Sequence, residues 1–149
     1  MSFLFRHAFK VAIFGSIAAL LVGQVAEAAP VTIDVSNVKT AKGRIRAAIC
    51  TRAKFLSESC EFDADAPAVV GVTSVTFPDI PPGAYAAQVF QDEHDDGTVH
   101  RDALGIPTEG VGFSRDAALH LKGPRFNEAT FQVGEQPVRM KIRLRHLPH

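Results

Sequence analysis

Beyond residue 28, apolar and polar positions alternate with period two through most of the chain, and no stretch holds a helical period over about eleven residues. The pattern predicts an almost all-β protein. Val31, Ile33 and Val35 alternate with Thr32, Asp34 and Ser36, and Ile45, Ala47 and Ile49 alternate after the Lys42-Gly43 turn, so these segments read as an opening hairpin. A third strand is expected over residues 69–77 and a fourth over 84–91, with Tyr85, Ala87 and Val89 on one face. The last pair reads Ala129, Phe131 and Val133, then Val138, Met140, Ile142 and Leu144, with residues 134–136 as the turn. Six strands, with a short seventh in the loops, predict an antiparallel β-sandwich of two packed sheets.

Two connections are longer than a sandwich needs. Residues 51–67 lie beside the two cysteines, with one helical turn expected near Ala53 to Ser57, and residues 92–128 form an excursion well beyond ordinary loop length. In Pro81-Pro82-Gly83-Ala84-Tyr85 the order of residue types predicts a type II turn, with Gly83 at the position needing a positive φ. Tyr85 then has an apolar ring for the core and a hydroxyl for nearby backbone, the arrangement of a tyrosine corner.

The N-terminus changes the expected compartment. Arg6 and Lys10 precede an apolar run over residues 11–22, and Ala26-Glu27-Ala28 supplies small residues for a signal peptidase, so residues 1–28 read as a secretory signal peptide. The apolar run is short for a membrane-spanning helix, so the domain of residues 29–149 is expected to be periplasmic or secreted, without a transmembrane anchor. Removing residues 1–28 takes Arg6, Lys10 and Glu27 from 16 basic and 16 acidic residues, leaving 14 and 15, a net charge of −1 that argues against nucleic acid as a partner. In an oxidising compartment Cys50 and Cys60 are expected to be bridged.

Three segments taken together, VTFPDIPPGAYAAQVFQDEHDDG, LGIPTEGVGFS and GPRFNEATFQV, resemble the bacterial family known as domain of unknown function 2141, a likeness covering essentially all of residues 31–144. The resemblance implies an exported sandwich of immunoglobulin-like or transthyretin-like type and no established activity. In that family the loop after the fourth strand commonly has the form D-E-N-G-N-G-K-L-D. This chain has Asp92-Glu93-His94-Asp95-Asp96-Gly97-Thr98-Val99-His100, with His94 and His100 where Asn and Asp are more usual.

That loop is the candidate chemistry. Asp92, Asp96, Gly97 and the Thr98 carbonyl stand at the first, fifth, sixth and seventh positions of a calcium loop, but His94 holds the third, and Ala103, next to Asp102, holds the twelfth. Imidazole suits zinc, copper or nickel better, so His94 and His100 with Asp92 or Asp96 make an alternative mixed N/O site. A solvated acidic turn without metal is the third reading. The Gly-rich segment 105–114 has two readings as well: a pocket wall in which Glu109, Phe113 and Ser114 meet the acidic loop, or a compact loop packed over one end of the sandwich.

The last strand alternates its apolar residues with Arg139, Lys141, Arg143 and Arg145. Such a basic stripe fits an envelope protein or anionic surface as partner, and more commonly a solvated sheet face that discourages edge pairing. Catalytic signatures are absent from the sequence: Asp116 stands where a G-x-S-x-G turn at Ser114 needs its second glycine, and there is neither H-E-x-x-H nor a phosphate loop. With no Trp, one Tyr and seven Phe after the signal, a sugar-stacking platform is also poorly supplied. The leading expectation is a non-enzymatic binding module with a cation-binding loop. A metal-dependent hydrolase using the His/Asp loop and a structural envelope protein are the alternatives.

Overall fold

The computed structural model describes residues 23 and 26–148. Most of the expected signal peptide therefore lies outside the described residues. Among these, eight strands make up nearly all the regular structure: β1 Ala29–Val38, β2 Arg44–Cys50, β3 Phe62–Pro67, β4 Gly71–Ile80, β5 Gly83–Asp92, β6 Val111–Phe113, β7 Thr130–Val133 and β8 Val138–Arg143. A 3-10 turn at Ser114–Asp116 and a one-turn helix, α1 (Phe126–Ala129), sit between β6 and β7. No helix among the described residues is long and apolar enough to cross a membrane.

The strands form two sheets, one ordered β4-β1-β8 and the other β3-β2-β5-β6, with β7 also paired to β5. Val31, Ile33 and Val35 of β1, Val75 and Phe77 of β4 and Ile142 of β8 meet Ile45, Ala47, Ile49, Tyr85, Ala87 and Val89 of the other sheet in one core. This is the period-two alternation at work, since residues two apart share a face and the apolar set of each sheet turns inward.

The opening hairpin does not form. β1 pairs with β4 and β8, while β2 pairs with β3 and β5, so residues 39–43 carry the chain from one sheet to the other. Likewise β7 and β8 belong to different sheets, and residues 134–136 are a crossover. Alternation states that one face of a strand is buried and leaves its lateral partner open. The purely antiparallel expectation is corrected too, because β8 runs parallel to β1 from Val31↔Val138 to Ser36↔Arg143.

Strand β3 falls inside the connection expected over residues 51–67. Its sequence, FDADAP, carries small and acidic residues that are poor strand formers, and it survives as an edge strand with outward Asp63 and Asp65 and a terminal proline. The expected disulfide is present: Cys50, fully buried at the end of β2, is bridged to Cys60. The loop it closes begins with turns in which Lys54 and Phe55 amides reach the Thr51 carbonyl. It covers a second, small core of Ala86, Phe113, Ala117 and Ala129, in which Phe55 meets Phe113 and Phe126 edge-on at 6.0 and 5.8 Å.

The tyrosine corner is present, Tyr85 Oη donating to the Pro81 carbonyl at 3.0 Å. The type II turn is not, since Gly83 has no positive φ and already belongs to β5. Its missing side chain serves Tyr85 instead: a Cβ there would stand 3.1 Å from the phenol.

Candidate functional site

The site lies at one end of the molecule, where β5 runs out at Asp92 beside the start of β2 (Arg44↔Asp92) and opens into the long excursion. Gly43 makes this approach feasible. At φ +64 it leaves space where a Cβ would stand 1.8 Å from the Asp92 carbonyl oxygen.

Asp92 organises the first half of the loop. Its carboxylate, fully buried, accepts from Arg46 Nε at 2.6 Å and from the amides of Gly97 at 2.8 Å and Asp96 at 3.2 Å. Burial pushes its pKa up, but the Arg46 bond and the two amides outweigh that and hold it below the usual carboxylate range. Arg46 completes the clamp through Asp95 at 2.9 Å. The second half is a tight hairpin in which Arg101 bridges Pro107, with Asp102 Oδ1 accepting the Leu104 and Ile106 amides at 2.9 Å. Asp92 thus spends its oxygens on Arg46 and the loop's own amides, and Asp102 its Oδ1 on two amides, and the six sequence-predicted metal residues do not converge as a calcium-type set.

A different trio does converge. His94, His100 and Glu109 each offer a ligand atom, and these atoms lie within 4.8 Å of one another. Glu109, 4% exposed, holds the two halves together: Oε1 accepts the Glu93 amide at 3.2 Å and faces His94 Nδ1 at 3.1 Å, while Oε2 accepts the His100 amide at 3.2 Å. The imidazole rings of His94 and His100 are 4.6 Å apart. His100 Nε2 meets Asp96 Oδ2 at 2.6 Å, which raises the His100 pKa. That same bond, with the Thr98 amide and hydroxyl on Oδ1, takes Asp96 down to about 2. Thr98 therefore serves Asp96 through its amide and hydroxyl.

The other sequence-predicted residues scatter. Phe113 packs under the disulfide loop, and Ser114, fully buried, bonds to β5 and Ala129, so neither shares an environment with Glu109. Of the basic stripe, Arg139 is spent on Asp34 in a bidentate pair at 2.8 Å, and Arg145 reaches Asp116 and the Ala117 carbonyl. Among the described residues Lys141 and Arg143 form no salt bridge, and both face outward from β8. Sequence reasoning missed Arg46 as the loop's anchor and did not place Glu109 with the histidines. The signal for Arg46 was its outward position on β2, opposite the core-facing Ile45 and Ala47.

No curated protein and no solved structure matches the chain. A family model does match, over residues 33–141, a span that contains β2 and β5 whole, β1 from Ile33 onward and the whole His94, His100 and Glu109 cluster. The chain belongs to the family described as an uncharacterized protein conserved in bacteria, domain of unknown function 2141.

Proposed function

We propose that the protein is an exported, non-enzymatic binding module, an immunoglobulin-like or transthyretin-like sandwich that holds a cation in the loops at the Asp92 end. The observation that carries this reading is the convergence of His94, His100 and Glu109 on a rigid frame, with Arg46 and Asp92 fixing the loop that bears the two histidines. Binding groups on loops held by a rigid scaffold are the usual arrangement for recognition. Export accords with the Cys50–Cys60 disulfide, which an oxidising compartment preserves. The outward Lys141 and Arg143 supply a cationic face for an anionic surface or an envelope protein.

The test is thermal unfolding of chelator-treated protein with calcium and, separately, with zinc. At a cation concentration about 100 times its dissociation constant, binding to the native state adds about 2.7 kcal/mol, a readily measured rise in Tm. A rise with either ion supports cation binding by the loop, and no turnover of ester, amide or glycoside substrates by the zinc-loaded protein then separates the module from the hydrolase alternative. An unchanged Tm with both leaves the loop as a solvated turn and overturns the module reading.

A further inference from the structure

We propose that the cation site is a transition-metal centre of borderline softness, taking zinc rather than calcium, with His94, His100 and Glu109 as protein ligands and Asp96 as the positioning carboxylate of His100. This rests on the cation-binding function proposed above and specifies its chemistry.

The donor set is the first argument. Two imidazoles and one carboxylate match the three-ligand zinc sites that keep a fourth position open, whereas calcium takes six to eight oxygens. Here the acidic residues of the calcium-type register are partly spent: both oxygens of Asp92 hold Arg46 and two amides, and Oδ1 of Asp102 holds two more.

Geometry is the second. Zinc–nitrogen and zinc–oxygen bonds of about 2.0–2.1 Å place tetrahedral ligands roughly 3.3 Å apart. The His94 Nδ1 to Glu109 Oε1 separation, 3.1 Å, is already close to that edge. The widest separation within the trio is under 4.8 Å, and the side chains that must move are the exposed ones, His94 at 64% and His100 at 43%. When zinc enters at Nδ1, it replaces the hydrogen bond between His94 and Glu109, and the His94 proton moves through solvent from Nδ1 to the exposed Nε2, so the imidazole stays neutral with no net proton released.

The charge of Glu109 is the third. Its side chain is 3% exposed and its one ion-pair partner among the described residues is His94. A buried carboxylate is stabilised by pairing or by a metal. Zinc at this point neutralises it while the imidazoles stay neutral. Asp96 supplies the outer partner: with Nε2–H of His100 donated to Asp96 Oδ2, the lone pair of Nδ1 is left for the ion, the carboxylate–histidine–zinc relay of many zinc sites. The open fourth position, beside two exposed rings, is where a water or a donor atom of a binding partner would complete the centre.

The experiment titrates chelator-stripped, tag-free protein with cobalt(II) as a spectroscopic stand-in for zinc, then displaces it with zinc and follows Tm. The expected result is one cobalt per chain with ligand-field absorption of a low-coordinate site, displaced by zinc. His94→Gln and His100→Gln should each weaken binding by at least about tenfold, and Asp96→Asn by about 10–100-fold. Both histidines are exposed, so these variants keep the fold, which far-UV circular dichroism verifies; Glu109→Gln, being buried, is secondary. Zinc binding that survives the His94→Gln/His100→Gln double variant overturns this site. A calcium-induced rise in Tm without cobalt or zinc binding also overturns it, while sparing the broader cation-binding function. Silence toward all three ions sinks both.

Discussion

Ser114 Oγ accepts the amide of Ala87 at 2.9 Å, and it does so at the one point where the outer edge of β5 changes partner. Residues 83–86 of β5 pair with β7 and residues 88–90 pair with β6, which leaves Ala87 between two strands that meet end to end. The same hydroxyl donates to the Ala129 carbonyl, just before β7. Ser114 therefore splices two short strands onto one long one.

Ser114→Ala should cost about 1–3 kcal/mol, because it leaves the buried Ala87 amide and Ala129 carbonyl without a partner. The urea midpoint is the measurement. A shift equivalent to less than about 0.5 kcal/mol, the scale of an ordinary surface change, would contradict the splice.

Asp92→Ala should destabilise the protein by roughly 2–4 kcal/mol, since it strips charged hydrogen bonds from Arg46 and the Gly97 and Asp96 amides together. Asp92→Asn, which can still accept from one amide, should recover part of the loss. Equal stability of Asp92→Ala and wild type in denaturant titration would show that the loop is anchored elsewhere.

Gly43→Ala and Gly97→Ala both place a methyl group at positive φ, +64 and +81, yet they should differ sharply. At Gly97 the added Cβ meets open space, so the cost is the left-handed conformation alone, about 1–2 kcal/mol. At Gly43 it would stand 1.8 Å from Asp92 O, forcing the start of β2 away from the end of β5. The expected outcome is a modest drop in Tm for Gly97→Ala and loss of cooperative folding for Gly43→Ala. Similar melting curves would refute the close approach.

Asp34 gives the pH prediction. Bonds from Ser74, and then from Arg139, lower its pKa in the folded protein below the usual aspartate value. A lowered folded-state pKa contributes stability that is fully present above the unfolded value and is lost as pH falls through the folded one. Asp34→Asn should thus be less stable than wild type at pH 7 by about 0.2–1 kcal/mol, the range of a surface pair, and the gap should close as pH falls below about 4. Melting curves across that range decide it; a gap that widens toward acid would reverse the assignment.

The chemistry at the Asp92 end was partly legible. His94, His100 and Asp96 announce themselves by type and spacing in one loop, but Glu109 lies nine residues beyond His100 and joins them because the hairpin over residues 100–108 folds back on itself. The Asp92 carboxylate reads as a ligand in the sequence because an acidic residue at the head of a Gly-containing loop suits both a cation and an Arg; Arg46, forty-six positions away, decides between them.

What the sequence determined by itself was everything carried by local periodicity and residue type. Alternation marked the core faces of β1, β2, β5 and β8, the Pro-Pro-Gly-Ala-Tyr run marked the tyrosine corner, and the segment order marked the family. Tertiary structure alone decided which strands are neighbours. A buried face is a property of one segment, whereas pairing is a property of two, and the crossovers at 39–43 and 134–136 look in sequence like hairpin turns. Only the packing of both apolar faces into one core separates β1 from β2 and sets β8 parallel to β1, and only the folded-back hairpin over residues 100–108 brings Glu109 to the two histidines.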